Sequence, residues 1–253
     1  MRILILGGTA EARQLAGALA GRPAFDVTLS LAGRTAAPLA QGVPVRSGGF
    51  GGAGGLADYL RAERMSALID ATHPYAAIMS ANAAKAARAA KVKLLALRRM
   101  PWTQRSGDTW IEVGTVAEAA QAIGDKPSRV FLALGRKELA PFAQAPQHVY
   151  LVRSVDPVEK PLDLPNASYI SARGPFREAD DLALLQENGI DIVVSKNSGG
   201  DASYSKVAAA RALGLPVIML KRPALPEVTS VETVGEVVAW LDHAITPAAA
   251  RGV

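Results

Sequence analysis

Short apolar runs alternate with amphipathic segments from the start of the chain. Residues 2–6 form a nearly continuous apolar run of the length of a buried strand, and Gly7 and Gly8 end it. Residues 11–21 then carry leucines one helical turn apart, and a second apolar run covers residues 27–31. This order predicts a strand–helix–strand unit whose two strands are parallel.

The alternation continues through the first hundred residues. Further strands are predicted at residues 43–47, 67–70 and 93–97, and an alanine-rich helix at residues 76–90. The stretch 48–55 holds six glycines and is predicted to be a flexible loop. Its composition fits a loop that closes over a cofactor and a plain surface loop equally well.

A second alternation follows an interruption. Between residues 98 and 114 the pattern lapses into Pro, Trp, Gly and polar residues, which is typical of a domain boundary. Beyond it, strands are predicted at residues 130–134, 149–152, 169–171, 192–195 and 217–220, and helices at residues 178–188, 204–213 and 234–243. The sequence therefore predicts an α/β protein of two Rossmann-like parallel-sheet domains, 1–99 and 100–245, followed by a disordered tail, 246–253.

Composition narrows the functional classes. Hydrophobic residues make up 49% and aromatic residues only 5%, which suits helices packed on parallel sheets. The chain has no cysteine, so disulfides, thiolate metal sites and a cysteine nucleophile are excluded. His73, His148 and His243 lie far apart without metal-ligand spacing, and no metal is predicted.

The net charge and the lengths of the apolar runs limit the kinds of molecule that the protein is predicted to bind. No apolar run near the start is long enough for a membrane span or a signal peptide, and the predicted location is the cytoplasm. The net charge of +5 is too small, and the basic residues are too dispersed, for a nucleic-acid-binding protein. An anionic small molecule is the better match.

Gly7, Gly8 and Thr9 follow the first predicted strand, where parallel sheets bind nucleotides. Two glycines let the backbone approach a pyrophosphate, and the following helix N-terminus offers N–H groups. Thr9 is placed to cap that helix or to donate to a phosphate. The fingerprint is incomplete because Glu11 follows, and we expect Glu11 to face the backbone or a basic neighbour. A plain tight turn is the alternative interpretation.

The residues after the second strand indicate which dinucleotide binds. NAD sites place a carboxylate there to accept the ribose hydroxyls, whereas this chain has Arg34 and no acid. A guanidinium fits a 2′-phosphate, so NADPH is the predicted cofactor. A solvated loop arginine is the alternative.

Residues 70–76, Asp-Ala-Thr-His-Pro-Tyr-Ala, follow the fourth strand. The proline biases His73 towards extended geometry at the strand exit. His73 is compatible with three roles, as a general acid, a ribose or phosphate donor, and a capping side chain. We predict Thr72, His73 and Tyr75 as cofactor contacts and His73 as a candidate catalytic residue.

Basic residues follow all five strands predicted in the second half. They are Arg136 and Lys137, Arg153, Arg173, Lys196, and Lys221 with Arg222. Parallel strands would bring them to one edge, where they would attract a polyanion. Ser198, Gly199 and Gly200 are predicted to add backbone N–H groups to this substrate-binding set, which also includes Asn197. Asp201 in the same loop has three open roles: salt-bridge partner, ligand acceptor and proton donor.

The ordered set of strings resembles the precorrin-6A reductase family. It consists of GGTAE at residues 7–11, DATHPYA at 70–76, GRKE at 135–138 and SKNSGG at 195–200. The resemblance runs from Met1 to about Leu241. It implies two Rossmann-like domains with a cleft between them and NADPH-dependent reduction of a macrocycle double bond to give precorrin-6B, or its cobalt equivalent, in cobalamin biosynthesis. The implied partners are a polycarboxylated tetrapyrrole and neighbouring pathway enzymes.

Other functions also match parts of the pattern. A short-chain dehydrogenase needs Tyr-x-x-x-Lys, and neither Tyr75 nor Tyr204 has a lysine four residues on. A two-domain nucleotide-sugar glycosyltransferase and a non-catalytic nucleotide- or tetrapyrrole-binding protein stay open as alternatives.

Overall fold

The chain forms two parallel sheets of six strands each, covered by helices. The computed structural model describes residues 1–33, 42–135, 138–155, 157–158 and 166–245. The strands are β1 Arg2–Leu6, β2 Asp26–Leu31, β3 Val45–Ser47, β4 Ala67–Asp70, β5 Lys93–Leu97, β6 Thr109–Val113, β7 Arg129–Ala133, β8 Val149–Ser154, β9 Ala167–Ser171, β10 Ile192–Lys196, β11 Pro216–Leu220 and β12 Ser230–Val231. The helices are α1 Ala10–Leu19, α2 Gly52–Ala62, α3 Ala77–Ala90, α4 Val116–Ala122, α5 Glu178–Glu187, α6 Ser205–Ala212 and α7 Val234–Ile245. The predicted α/β class is confirmed.

The first sheet has the order β12-β5-β4-β1-β2-β3, with every pair parallel. From Ile3 to Leu6, strand β1 is apolar because both of its faces are covered. Ile3 and Ile5 pack with α1 and α7, whereas Leu4 and Leu6 pack with α2 and α3. The helix after β1 and the helix after β4 thus lie on opposite faces, and a crevice forms at the carboxyl ends of these two strands.

The second sheet repeats this arrangement. Its order is β6-β11-β10-β7-β8-β9, again with every pair parallel. Strands β7 and β10 occupy the central positions that β1 and β4 occupy in the first sheet. The carboxyl ends of β7 to β11 therefore meet at one edge, as the sequence predicted.

The chain divides into two compact units, and one part of the expected division is wrong. The first unit contains residues 1–100 and 224–253, and the second contains residues 101–223. The sequence placed residues 224–245 in the second domain. Strand β12 instead pairs with β5, and Val237 and Leu241 are fully buried in the core of the first unit. Apolar periodicity shows that α7 has a buried face but not which core receives it.

Two further elements differ from the sequence prediction. Strand β6 lies inside the stretch 98–114, where the apolar pattern lapses, because it is an edge strand with mostly exposed side chains. Helix α2 begins within the glycine-rich stretch 48–55 that was predicted to be a flexible loop. A Cβ at Gly55 would lie 1.7 Å from the carbonyl oxygen of Phe50. Close backbone packing therefore explains a glycine that composition alone attributes to flexibility.

Within the described residues, no helix has the length and hydropathy needed to cross a membrane. The predicted tail, 246–253, lies outside those residues.

Candidate functional site

The turn between β1 and α1 lies at the crevice of the first sheet. Gly8 has φ +114°, which side chains disfavour, and a Cβ there would meet no atom within 4 Å. At Gly7 a Cβ would lie 2.7 Å from Leu29 Cδ1, so this position admits only glycine without a shift. The turn therefore leaves open space in front of the α1 N-terminus, as an approaching pyrophosphate requires.

Thr9 connects the two strands that border the crevice. Its hydroxyl oxygen accepts from the Ala12 N–H at 3.1 Å, which caps α1. The hydroxyl proton is donated to the carbonyl oxygen of Ala71, after β4, at 2.8 Å. Of the two roles expected for Thr9, the structure therefore displays the cap.

Glu11 pairs with a basic neighbour, as expected. Its carboxylate accepts from Arg99 Nη1 at 2.7 and 2.9 Å, and the two side chains are only 22% and 14% exposed. A carboxylate beside the turn would repel phosphate, and the arginine offsets its charge.

The segment after β4 is held by short-range hydrogen bonds. Asp70 is buried, and its Oδ1 accepts from the Thr72 hydroxyl at 2.7 Å and from the Thr72 N–H at 3.2 Å. His73 is half-buried, and its Nδ1 accepts from the Tyr75 N–H at 3.3 Å. Because Nδ1 accepts, the neutral ring carries its proton on Nε2. Thr72, His73 and Tyr75 all lie at the carboxyl edge near the turn.

Arg46 shapes the neighbouring loop and is not among the site residues predicted from the sequence. Its guanidinium donates to the carbonyl oxygens of Gly48 at 2.6 Å and Gly49 at 2.7 Å. It also lies 3.7 Å from the Phe50 ring centroid. An arginine two to four residues ahead of a Gly-Gly-Phe string is the only signal the sequence offers for this cation–π contact.

Several of the predicted basic residues at the edge of the second sheet are already paired with acids. Arg153 and Asp181 form an ion pair in which the side chains are 7% and 2% exposed. Lys196 pairs with Glu138, and Lys221 pairs with Glu112 at 3.2 Å. Arg153 is therefore part of the core, whereas Lys221 is about half exposed and accessible to a ligand. Arg173 is exposed at the end of β9.

The loop after β10 contains the remaining predicted substrate contacts. Asn197 is 9% exposed, and its amide bonds the backbone of Trp102, so it supports the loop. Ser198, Gly199 and Gly200 follow, and the two glycines have φ +69° and +67°. Asp201 is exposed and has no ion-pair partner among the described residues. Of its three expected roles, the salt-bridge role finds no support in this geometry.

Three predicted site residues, Arg34, Arg136 and Lys137, lie outside the described residues. In the part of the chain that the structure describes, no group of three or more His, Asp or Glu side chains is arranged to hold a metal ion.

The strand order of the first sheet, its glycine turn and the open space at Gly8 before α1 define a dinucleotide-binding α/β protein. A family model described as Precorrin-6x reductase CbiJ/CobK matches residues 2–242, and the chain belongs to this family. It is an oxidoreductase of cobalamin biosynthesis, and its reductase class implies a nicotinamide cofactor. Because the chain belongs to this reductase family, the glycosyltransferase and the non-catalytic binding protein are no longer alternatives.

Individual relatives agree with this assignment. Precorrin-6A reductase of Sinorhizobium sp is 53% identical over 247 residues, which cover 98% of this chain and 95% of the relative. The solved structure of CobK precorrin-6A reductase matches with a TM-score of 0.93 at 51% identity and covers 100% of both chains. Cobalt-precorrin-6A reductase of Priestia megaterium is 32% identical, covering 93% of this chain and 96% of the relative.

Proposed function

We propose that this protein reduces one double bond of the precorrin-6A macrocycle with NADPH and releases precorrin-6B and NADP⁺. The observation that carries the proposal is the full-length match, at 53% identity, to a relative named precorrin-6A reductase. The relative named for a cobalt-containing substrate shares only 32%. The metal-free macrocycle is therefore the proposed substrate.

The first unit has the features needed to bind the dinucleotide. The open space at Gly8 and the N–H groups at the start of α1 fit a pyrophosphate, and Arg34 is proposed to read the 2′-phosphate. Thr72, His73 and Tyr75, at the same edge, are the proposed contacts to the rest of the cofactor. NADPH, when bound, supplies a hydride.

The second unit has the features needed to bind a polycarboxylate. Lys221 and Arg173 are exposed at its basic edge, and we include Arg136, Lys137 and Lys196 in the proposed substrate set. Acetate and propionate arms around a tetrapyrrole carry the complementary charge. The pair between Lys196 and Glu138 would have to exchange partners for Lys196 to take part.

Cofactor preference is the direct test of the function. Adding precorrin-6A to the protein should oxidise NADPH, and NADH should be a much poorer donor. Arg34→Ala should raise the KM for NADPH roughly 10- to 100-fold, as expected for losing a charged hydrogen-bond partner worth about 1.5–3 kcal/mol. The KM for NADH should hardly change. An equal loss with both cofactors would contradict the 2′-phosphate role, and no oxidation by the wild-type protein would contradict the function itself.

Reduction also places a proton on the carbon next to the one that takes the hydride. Asp201 is the proposed donor, because its exposed carboxyl group has no ion-pair partner among the described residues; His73 and water are the alternatives. Asp201→Asn should then lower kcat about 100-fold or more, with little change in the KM for precorrin-6A. An unchanged kcat in steady-state assays would exclude Asp201 and leave His73 or water as donor.

A further inference from the structure

Side-chain donors bind three of the carbonyl groups in the loop after β10. Arg222 Nε donates to the carbonyl oxygen of Asn197 at 2.9 Å, and Arg222 Nη2 donates to that of Ser198 at 3.1 Å. Trp102 Nε1 donates to the carbonyl oxygen of Gly200 at 2.8 Å. Two side chains from distant parts of the second unit thus fix three carbonyl groups of one short loop.

The indole of Trp102 is itself held in place. The side-chain amide of Asn197 accepts from the Trp102 N–H at 2.7 Å and donates to the Trp102 carbonyl at 2.8 Å. Tyr204 packs edge-on against the indole at 5.4 Å, and Lys206 Nζ lies 4.9 Å from its ring centroid. These contacts make Trp102 a rigid donor rather than a mobile surface side chain.

The N–H groups of Asn197 and Ser198 donate to the carbonyl oxygens of Leu220 and Lys196, whereas the next three N–H groups of the loop have no acceptor among the described residues. Gly199 and Gly200 have φ +69° and +67°, so the backbone makes a short left-handed turn. Successive N–H groups in such a turn point away from the carbonyl groups. In the described part of the chain, the N–H groups of Gly199, Gly200 and Asp201 donate to no acceptor, although Gly199 is buried. Three successive backbone N–H groups in one left-handed turn form a concave site for an anionic acceptor.

We propose that the N–H groups of residues 199–201 bind one carboxylate of the substrate, and that Trp102 and Arg222 are the positioning residues that hold the loop in this form. The assignment rests on the proposed function, which supplies a substrate with several carboxylate arms. A backbone site complements the lysine and arginine side chains at the same edge, because it fixes the direction of an arm as well as its charge.

Trp102→Phe tests the role of the indole N–H with the ring preserved. The KM for precorrin-6A should rise about tenfold, as expected for weakening one hydrogen-bonded subsite, while kcat and the KM for NADPH stay within about twofold. Trp110→Phe is the matched control. Its indole N–H is buried and has no hydrogen-bond partner in the part of the chain that the structure describes, so the same substitution should leave all three constants unchanged.

Arg222→Lys and Arg222→Met separate positioning from direct charge. Lysine keeps the charge but cannot bind two carbonyl groups with a planar fork. If Arg222 holds the loop, both variants should raise the KM for precorrin-6A to a similar extent. Full rescue by lysine would overturn the positioning role and show a direct charge contact.

Two results distinguish failure of this inference from failure of the proposed function. If the wild-type protein oxidises NADPH on adding precorrin-6A and the KM stays flat in Trp102→Phe and both Arg222 variants, the carboxylate site is wrong and the function stands. If the wild-type protein shows no oxidation, the function and the site are both wrong. The melting temperature of each variant shows whether it folds. If Trp102→Phe does not fold, the KM values of the two Arg222 variants decide the test.

Discussion

Gly8→Val should abolish NADPH binding by a protein that still folds. A valine at φ +114° is strained, and its methyl groups would extend into the space in front of α1 where the pyrophosphate approaches. We expect the Kd for NADPH to rise at least about 100-fold, or roughly 2.7 kcal/mol. Fluorescence titration of NADPH measures this directly.

Gly17→Ala provides the control on the same helix. Gly17 lies within α1, and a Cβ there would also meet no atom within 4 Å. Its helical backbone accepts alanine, so this change should leave NADPH binding intact and stabilise the protein by up to about 1 kcal/mol. Normal binding by a folded Gly8→Val protein would show that the phosphates bind elsewhere.

Asp181→Asn should destabilise the protein by about 3–5 kcal/mol, because it leaves a buried guanidinium without its counter-charge. Asp181 is 2% exposed and binds Arg153, and Ser205 Oγ donates to it at 2.5 Å. The Arg153 guanidinium lies 4.0 Å from the Phe176 ring centroid, where water cannot replace the lost carboxylate. Urea denaturation followed by circular dichroism measures the effect.

The neighbouring residue offers a matched control for that experiment. Asp180 pairs with Arg177 one turn away, but both side chains are largely exposed. Asp180→Asn should therefore change stability little, since solvent screens exposed pairs. Equal effects at positions 180 and 181 would contradict the assignment of Arg153 to the core.

The sequence predicted the elements whose signals are local. The apolar run of β1, the glycines after it and the leucines of α1 lie next to one another, so the turn between this strand and helix could be located directly. The shared basic edge also followed, because parallel strands bring their carboxyl ends together. Strand β6 was missed because an edge strand lacks the apolar signature of a buried one.

What the sequence could not supply were contacts between distant residues. Nothing local connects Lys196 with Glu138, or Arg153 with Asp181, and these pairs change which cations are accessible to a ligand. Trp102 lies in a stretch interpreted as a domain boundary, and only the fold shows its indole bound to Gly200. These ion pairs and the hydrogen bond from Trp102 to the loop depend on tertiary structure, which the periodicity of apolar residues does not predict.

The order of strands has a consequence for synthesis on the ribosome. Residues 1–100 of the first unit are made before the second unit, but the sheet of the first unit lacks β12 and its core lacks Val237 and Leu241 until residues 224–245 have been made. Domains commonly fold in order of emergence at about 5–20 residues per second. Here the second unit is complete first. Counted from residue 100, the first unit waits on the order of ten seconds for its last strand and helix, the time needed to make residues 101–245. The core of the first unit is thus completed only after the whole second unit has been made.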